Sequence, residues 1–453
     1  MSIHPHDILA WVGGNCLPKF GTLVRRTTPP SKRADGELVE TFTRTDVAGT
    51  GWTVNGAGLL TRAGADIPRV RYYDLDADGV FETPTLLLEP AGTNLLTYSH
   101  QLDNAAWTKT ACSINANANT APDGTLTADQ VIEDSSTGQH TVRQVVTATA
   151  DATYTLSWYG KMGTRTVVQI VLAEDADVGN HASAYFDLSD GTVGTTSSGG
   201  TGTFVTAYIE TLASNRYRMV VVGSVGNGAT GIRCVARMAD ADNSNSYTGD
   251  GSSYIKLWGA MFEDSTSYAS SYITTTTASV SRNADAFSIP FYPGPQTLSI
   301  YARGLQVQYT GAGLAGLYTI GEDATSPASG ASIGGYVNAD TTGGGAVRVW
   351  DGTTTLNVSQ SLSGALNVGQ QVETCATVPP TVGETVTFSM RADGGTTVTS
   401  TGAQTVAIDA YSQALLSVGR FSAIATAVQA TAMQDVIVCR GTHTLDDFAA
   451  LVA

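Results

Sequence analysis

The sequence predicts an all-β protein made of two tandem antiparallel β-sandwiches of the jelly-roll type, with an extended N-terminal anchor and a short C-terminal helix. Three observations support this prediction. The composition, with 42% apolar residues, 14% charged residues and 49 glycines, favours strands joined by tight turns. Short runs of alternating apolar and polar residues recur about every ten residues, separated by Gly, Asp, Asn and Ser. Almost no helical period lies between these runs, which favours sandwiches over a parallel α/β sheet.

The clearest strand predictions lie in the middle of the chain. The run YTLSWYGKM predicts a half-buried strand, because Tyr154, Leu156 and Trp158 fall on one face and more polar residues fall on the other. Two further runs, RYRMVVVGSV and YIKLWGAMFE, alternate in the same way, and their predicted apolar faces comprise Tyr217, Met219 and Val221, and Ile255, Leu257 and Met261.

A second series of strands follows the polar link SYITTTTASVSRNADAFSIP. Asp351-Gly352 and Asp393-Gly394-Gly395 are hairpin signals, since these residues tolerate the positive φ of such turns. The segment THTLDDFAALVA predicts a short helix capped by Thr444, with acidic residues near its positive end. The predicted domains are an N-terminal anchor over residues 1–85, a first sandwich over 86–275 and a second over 276–453.

The charge distribution argues against a nucleic acid partner. The chain has 24 basic and 40 acidic residues and a formal net charge of −16, which repels phosphate backbones. The first forty residues are the exception, with basic residues that would suit docking to an acidic neighbour or, alternatively, form a solvated tail. These residues are Lys19, Arg25, Arg26, Lys32 and Arg33.

Cysteine usage and hydropathy indicate where the chain folds. The five cysteines are widely spread and form no CxxC pair, which favours free thiols in a reducing cytoplasm over disulfides or a zinc ribbon. The sequence has no secretory signal pattern at its start, and no apolar run approaches the roughly 18 residues that a membrane helix needs. We therefore expect synthesis in a bacterial cytoplasm, no membrane insertion, and release by lysis.

Two acidic turns are candidates for a cation. Asp74, Asp76 and Asp78 precede Gly79 as in the opening of a calcium loop, but Thr85 occupies the position of the usual bidentate glutamate. An acidic turn without metal is the alternative, and no cofactor other than Ca²⁺ is suggested. The same two interpretations apply to the second turn, which contains Asp240, Asp242 and Asp250.

No motif predicts catalysis. GNGATG, from Gly226 to Gly231, matches G-x-G-x-x-G but lies between two predicted strands, so we expect a flexible hairpin loop. The sequence lacks G-x-S-x-G and H-E-x-x-H, and its six histidines are scattered. A glycosidase with paired carboxylates stays open, because two such acids leave no sequence signature. We predict that the protein is not an enzyme.

Sugar binding needs an aromatic platform beside hydrogen-bonding side chains on an exposed sheet face. The candidates are Trp158, Tyr159 and Trp258, with Tyr159 on the more polar face of its strand. The alternative for each is a place in the core, because alternation alone does not tell which face is solvated.

Two separated motifs resemble a carbohydrate-binding-like jelly-roll module of tailed-phage virion proteins. The opening motif "Glu-Pro-Ala-x-Thr-Asn-Leu-Leu" is carried by Glu89, Pro90, Ala91, Thr93, Asn94, Leu95 and Leu96. The closing motif is carried by Trp258, Gly259, Ala260, Glu263, Ser271, Tyr272, Ile273 and Thr275. Met261 departs from the family, where glutamine is usual. The match covers roughly residues 65 to 287, and the C-terminal third is similar to a laminin-G or concanavalin-like sandwich.

This resemblance implies a surface protein of a bacteriophage or phage-like particle, in a head or tail appendage. The first hypothesis is adhesion to host-surface polysaccharide, with other virion proteins as partners and a homo-oligomer, such as a trimer, supplying multivalency. The second is a capsid or tail decoration or connector without a ligand, which Met261 and the basic residues also suit. An endoglycosidase acting on capsule is the third and least favoured.

Overall fold

The computed structural model describes residues 8–13, 41–43, 47–65, 67–74, 78–81, 83–291, 297–305, 314–321, 332–338, 344–350, 355–362, 370–405, 414–418, 431–440 and 442–452. Over these ranges the chain is almost entirely strand, and all ladders between the described strands are antiparallel. The strands form stacked sheets of the sandwich type, so the all-β prediction is confirmed. The helix among the described residues is far too short to cross a membrane.

The described strands before the jelly roll are β1 (Ile8–Gly13), β2 (Thr41–Thr43), β3 (Trp52–Val54), β4 (Leu60–Arg62), β5 (Arg69–Tyr73), β6 (Thr83–Leu88) and β7 (Gly92–Asn94). Those of the jelly roll and its loops are β8 (Thr108–Thr110), β9 (Cys112–Asn119), β10 (Ala128–Glu133), β11 (Thr137–Gly138), β12 (Thr141–Thr147), β13 (Tyr154–Lys161), β14 (Val167–Glu174), β15 (His181–Asp187), β16 (Thr192–Gly199), β17 (Thr203–Leu212), β18 (Arg216–Ser224), β19 (Gly231–Ala239), β20 (Tyr247–Thr248) and β21 (Tyr254–Glu263).

The described strands that follow are β22 (Val280–Arg282), β23 (Ala286–Phe291), β24 (Leu298–Leu305), β25 (Leu314–Gly321), β26 (Ser332–Asn338), β27 (Gly344–Trp350), β28 (Thr355–Ser361), β29 (Gln371–Val378), β30 (Thr385–Ala392), β31 (Val398–Ala403), β32 (Ala414–Val418) and β33 (Thr431–Arg440). The helix is α1 (Leu445–Val452).

The jelly roll consists of two six-stranded sheets. Sheet I has the order β17-β18-β13-β21-β10-β9, and sheet II has the order β16-β15-β14-β19-β12-β8. Apolar side chains from both sheets fill the space between them and form the largest described core cluster, which includes Trp107, Trp158, Phe186 and Met219. The predicted alternation of Tyr217, Met219 and Val221 is confirmed, since all three face this core.

The second sandwich, which we call the framework sandwich, is built from both ends of the chain. Sheet III has the order β31-β30-β29-β24-β33-β6-β5, with β1 also on β33, and sheet IV has the order β2-β23-β32-β25-β26-β27-β28. One edge of β33 pairs with β24, and the other edge pairs with β6 over three residues and then with β1. The jelly roll is therefore an insertion within the framework sandwich.

This topology corrects the predicted domain boundaries. The boundary between residues 85 and 86 falls inside β6, and the two jelly-roll sheets span residues 108 to 263. The described N-terminal strands β1, β2, β5 and β6 are not a separate anchor, because they complete the sheets of the framework sandwich. Local periodicity predicted strands here but carried no information on their distant partners.

The strand β13 is not half-buried, and this prediction is wrong. Its apolar face lies in the jelly-roll core as expected, but Thr155, Ser157 and Tyr159 on the other face are also buried. The reason is that the β3–β4 hairpin packs on this face of sheet I, where Val54 and Leu60 cluster with Tyr159. A third layer therefore covers sheet I.

A bulge at Gly259 changes the facing of residues on β21. Its φ is +62°, and the register with β13 shifts between Ser157 and Tyr159. Ile255 and Leu257 consequently face the jelly-roll core, whereas Met261 joins Trp258 on the opposite face. The predicted grouping of Met261 with Leu257 is wrong, because an extra residue in the strand reverses the alternation.

Two local predictions in the framework sandwich are confirmed. The turn between β30 and β31 has positive φ at both Asp393 (48°) and Gly394 (67°), and the pairing of Met390 with Val398 centres the hairpin on this Asp-Gly-Gly segment. The helix α1 begins after Thr444, whose hydroxyl accepts a hydrogen bond from the backbone N–H of Asp447 at 3.3 Å, while Asp447 accepts one from the N–H of Thr444 at 2.8 Å. The turn at Asp351-Gly352 lies outside the described residues.

Buried charged side chains lie where the chain passes from the framework sandwich into the jelly roll and where it returns. We call this group the junction charge network: Arg69, Glu89, Ser271, Arg282 and Asp285. Glu89 Oε2 lies 2.6 Å from Arg69 Nη1 and 3.0 Å from Arg282 Nη1, and all three side chains are almost completely buried. Asp285 forms a second ion pair with Arg69. The backbone N–H of Ser271 donates to Glu89 Oε1 at 2.8 Å.

Two ladders position this network. The strand β7, where the chain enters the jelly roll, pairs with β22, where it leaves. Arg69 comes from β5 of sheet III, which pairs with β6.

Burial alone would raise the pKa of the Glu89 carboxyl, but the charges of Arg282 and Arg69 hold that pKa well below its usual value. Glu89 is therefore ionised at neutral pH.

We predict that replacing Glu89 by alanine lowers the free energy of unfolding by about 3 to 5 kcal/mol, because Arg69 and Arg282 lose a buried counter-charge. Denaturant unfolding monitored by tryptophan fluorescence measures this loss. The matched control is Glu384→Ala at an exposed carboxylate, which should change stability by less than about 0.5 kcal/mol. Equal effects of the two substitutions would contradict a stabilising role for the network.

We also predict an acid-dependent loss of stability that originates at Glu89. A carboxyl group with a lowered pKa in the folded state contributes stability above its unfolded pKa of about 4.3, and this contribution disappears as the pH falls further. The wild-type unfolding midpoint should therefore drop more steeply below about pH 4 than that of Glu89→Gln. Thermal unfolding from pH 3 to pH 7 tests this, and parallel curves for the two proteins would refute it.

Candidate functional site

The aromatic residues predicted to form a sugar platform are core residues, which corrects that prediction. Trp158 is 0% exposed and packs against Trp107 between sheets I and II, with ring centroids 5.1 Å apart. Tyr159 and Trp258 are each 3% exposed and lie beneath the β3–β4 hairpin. A sugar ring cannot stack on side chains that the protein itself covers, so none of the three is an exposed platform.

Tyr159 and Trp258 belong to an aromatic cluster that holds the β3–β4 hairpin against sheet I. The ring of Trp258 lies 4.7 Å from that of Tyr272 and 6.4 Å from that of Trp52 on the hairpin. Both indoles are satisfied, since Trp52 Nε1 donates to Thr274 Oγ1 at 3.0 Å and Trp258 Nε1 donates to Thr127 Oγ1 at 3.1 Å. Such geometry is typical of a packed interior.

The predicted calcium loop is only partly described, because Asp76 lies outside the described residues. Asp74 Oδ2 accepts a hydrogen bond from the backbone N–H of Gly79 at 3.0 Å, and Asp78 Oδ1 accepts one from that of Val80 at 2.7 Å. Within the described ranges no group of three or more His, Cys, Asp or Glu side chains is arranged to hold a metal ion. Calcium binding at this turn stays a prediction.

In the second acidic turn the carboxylates of Asp242 and Asp250 are hydrogen-bonded to the protein, and Asp240 bonds through its backbone N–H to the carbonyl of Ser244 at 3.2 Å. Asp242 accepts bonds from the backbone N–H and the hydroxyl of Thr195, at 2.8 and 2.7 Å. Asp250 accepts hydrogen bonds from Ser253 and Ser252, which lower its pKa well below the usual value.

The basic residues predicted to dock the protein to a partner all lie outside the described residues. They are Lys19, Arg25, Arg26, Lys32 and Arg33.

The G-x-G-x-x-G segment connects the two sheets of the jelly roll and is not a hairpin. It follows β18 of sheet I and precedes β19 of sheet II, and these two strands do not pair. Gly226, Asn227 and Gly228 have φ values of 68°, 61° and 65°, which explains the two glycines. The expectation of a loop between strands is confirmed, whereas the expectation of a hairpin is wrong.

The residues of the opening and closing motifs contact one another where the chain enters and leaves the jelly roll. Asn94 is fully buried, and its amide donates to the carbonyls of Ala260 and Ile273 at 3.0 and 2.8 Å, which ties the opening motif to the closing one. Glu263 accepts a hydrogen bond from the backbone N–H of Ser270 at 2.9 Å. Together with Glu89 and its two arginines, these bonds make both motifs structural.

Met261 occupies an interior position in this same region. It is 1% exposed, and its Sδ lies 3.7 Å from Nη2 of Arg218, whose guanidinium also lies over the ring of Tyr159. A glutamine side chain at this position would therefore also lie beside a buried arginine. The departure at Met261 has no bearing on an exposed binding face.

The outer face of sheet II is the part of the jelly roll that no described framework strand covers. The strands that pack extensively against β14 are β13, β15, β18 and β19, which all belong to the jelly roll itself. Register places the outward side chains in three rows across the sheet: Thr141, Arg237, Gln169 and Tyr185; Arg143, Val235, Val171, Ser183 and Ser197; Val145, Arg233, Ala173 and His181. We call these residues, with Asn245, the outer face.

Polar side chains on the outer face form a continuous hydrogen-bonded ladder. Gln169 Oε1 accepts from Arg237 Nη1 and from Asn245 Nδ2, both at 2.8 Å. Gln169 Nε2 donates to Ser183 Oγ at 3.1 Å, and Asn245 Nδ2 also lies 2.7 Å from the hydroxyl of Tyr185. The ladder holds amide, hydroxyl, guanidinium and phenol groups in defined positions on one surface.

Arginine is the charged residue that dominates this face. Arg233 pairs with Asp175 at 2.7 Å, and Arg143 Nη1 lies 3.7 Å from the same carboxylate. Arg237 forms no ion pair with any described residue, and its Nε is buried without a hydrogen-bond partner. Desolvation lowers the pKa of Arg237.

Sequence reasoning missed this face, although a signal was present. In the strand GIRCVARMA, Arg233, Val235 and Arg237 alternate with apolar residues, and in VVQIVLAE, Gln169 interrupts an otherwise apolar run. Both patterns predict one polar face on a strand whose other face is core. What they lack is any indication that the two strands are neighbours.

No protein-family model matches the chain, and no curated protein matches its sequence. Among solved structures, domains LG4-5 of the mouse laminin α1 chain align with 12% identity over 68% of this chain and 88% of that chain, at a TM-score of 0.21. This alignment is too weak to support an argument about fold or function. The sandwich architecture rests on the strand pairing described above.

We predict that Trp158→Ala lowers the free energy of unfolding by about 3 to 5 kcal/mol, because it removes a fully buried ring from the jelly-roll core. The control is Leu126→Ala at a side chain that is 64% exposed, which should cost less than about 0.5 kcal/mol. Denaturant titration measures both. Unchanged stability of Trp158→Ala, combined with weaker sugar binding, would restore the platform hypothesis.

Proposed function

We propose that this protein is a structural surface component of a bacteriophage or phage-like particle, in a head or tail appendage, that binds host-surface glycans and performs no chemistry. The observation that carries the binding part is the outer face of sheet II, where partly exposed polar side chains surround the buried residues Gln169, Ser183 and Tyr185. The partly exposed side chains are Arg143, Arg233, Arg237 and Asn245. The particle part rests on the two sequence motifs that resemble tailed-phage virion modules.

The chemistry of the outer face suits a sugar. A glycan presents hydroxyl groups that both donate and accept hydrogen bonds, and the partly exposed members of the ladder, Arg237 and Asn245, offer guanidinium and amide groups to them. Because these groups already bond to one another across strands, they are held in place before a ligand arrives, which reduces the entropy lost on binding.

Individual glycan contacts are weak, so adhesion by such a face depends on several copies acting together. Linked sites raise the effective concentration of the second binding event and can increase avidity by orders of magnitude without new contacts. A homo-oligomer such as a trimer, arranged symmetrically on the particle, would supply those copies. Other virion proteins of the head or tail would be its partners, and its location would be the virion surface.

The basic residues of the first forty positions are the proposed docking element toward the particle. Deleting residues 1–40 is a poor test, because it also removes β1, which pairs with β33. Replacing Lys19, Arg25, Arg26, Lys32 and Arg33 by glutamine leaves the strand intact. We expect this variant to fold normally and to be depleted from assembled particles.

A decoration or connector role without a ligand is the second candidate. Burial of Trp158 and Trp258 favours it, since the aromatic residues with the largest stacking surface are used for packing. Glycan arrays probed with purified protein separate the two proposals. Binding to at least one polysaccharide class is expected for an adhesin, whereas no binding to any bacterial polysaccharide would leave the decoration role.

We predict that Asn245→Ala weakens glycan binding by about 1 kcal/mol, or roughly fivefold, because it removes the amide that links Gln169 and Tyr185. The matched control is Asn115→Ala, at an exposed asparagine on the edge strand β9 of sheet I. Biolayer interferometry with immobilised polysaccharide measures both affinities. Equal affinities for the two variants would exclude the outer face as the binding surface.

A further inference from the structure

The outer face carries three arginines whose positions are set by the pairing of β12 with β19. Arg233 and Arg237 lie four residues apart on β19 and point to the same side. Arg143 on β12 stands opposite Val235, midway between them. At roughly 3.4 Å per residue and 4.8 Å between strands, the Cα atoms of the three arginines form a zigzag about 14 Å long.

This concentration of positive charge is unusual for a chain with a net charge of −16. Asp175 is the carboxylate that pairs with Arg233 and lies near Arg143, so one negative charge faces two arginines. The other carboxylate near the ladder, Asp242, accepts hydrogen bonds from Thr195 and keeps its negative charge, so three arginines face two carboxylates. The face therefore has an excess of positive charge among its described residues.

Arg237 differs from the buried arginines elsewhere in the protein. At the junction, Arg69 and Arg282 pair with Glu89, and Arg71 pairs with Glu210 at 3.1 Å. Arg237 is likewise poorly accessible, yet its Nη1 donates to the neutral amide of Gln169, its Nε is buried without a hydrogen-bond partner, and burial lowers its pKa. An uncompensated charge of this kind is costly and is stabilised when an anion binds beside it.

We propose that the three arginines of the outer face bind a polysaccharide that carries carboxylate groups along its chain, such as a polyuronate. This inference deepens the proposed function and rests on it. Guanidinium groups form paired, charge-assisted hydrogen bonds with carboxylates. Three arginines suit a repeating polymer better than a single small anion, and the partly exposed amide of Asn245 beside them would contact sugar hydroxyls.

The test measures binding of the full-length protein to three polymers: alginate as the polyuronate, dextran as a neutral polysaccharide, and single-stranded DNA as a polyanion of another class. Wild-type protein should bind alginate at least tenfold more tightly than dextran, and the affinity should fall as salt increases. Equal binding to alginate and dextran would overturn the inference but leave glycan binding intact. Binding to neither polysaccharide would overturn both.

Substitutions locate the site. Arg237→Gln should weaken alginate binding by roughly tenfold or more, because a charged hydrogen-bond donor is lost, and should leave dextran binding unchanged. The matched control is Arg216→Gln, at an arginine of sheet I that bonds to backbone carbonyls, and it should bind like the wild type. Equal alginate affinity of the two variants would refute the inference.

Two further measurements guard against indirect effects. The unfolding midpoint of Arg237→Gln should equal or exceed that of the wild type, because an uncompensated charge is removed. If that variant fails to fold, the double variant Arg143→Gln/Arg233→Gln, at partly exposed side chains, takes its place and should lose alginate binding. A competition experiment with single-stranded DNA at equal charge concentration tests for nonspecific polyanion binding. If the DNA displaces alginate, the inference is overturned.

Discussion

The position of the jelly roll within this protein depends on the neutralisation of charges that are buried where the chain enters and leaves it. Glu89 lies between Arg69 and Arg282, and Arg69 also pairs with Asp285. The two arginines balance the two carboxylates, so removing any one of the four leaves one uncompensated charge in the buried network, which is far more costly than losing a surface ion pair. The network therefore specifies one arrangement of the strands β5, β7 and β22, since only that arrangement satisfies all of its members.

This constraint makes the two sheets of the jelly roll unequal. The β3–β4 hairpin and its aromatic residues cover sheet I, so the side chains of Tyr159 and Trp258 are excluded from solvent. No described framework strand packs extensively on sheet II, whose outward side chains are partly exposed arginines around a buried centre. An exposed binding surface can lie only on a face that the protein leaves uncovered. The structural asymmetry therefore directs the functional hypothesis to the outer face, with its ladder around Gln169 and its arginines.

The sequence motifs of the resemblance have a structural explanation. Asn94 bonds to the carbonyls of Ala260 and Ile273, and Glu89 pairs with arginines from both sides of the insertion. Side chains that satisfy buried backbone groups and charges tolerate few alternatives, because a substitution leaves a donor or acceptor without a partner. Residues on a binding face are free of that requirement. The buried motif residues therefore hold the insertion together and are not accessible to a ligand.

The sequence by itself determined the strands, the hairpin at Asp393-Gly394 and the capped helix after Thr444, because alternation, turn conformation and capping depend on residues close together in the chain. Only the tertiary structure decided that β1 and β6 belong with β33, that the Gly259 bulge turns Met261 inward, and that the aromatic candidates are buried. Each of these depends on which distant segment packs against a strand. A period of two residues distinguishes the faces of a strand, but only the packed sandwich determines which face meets water.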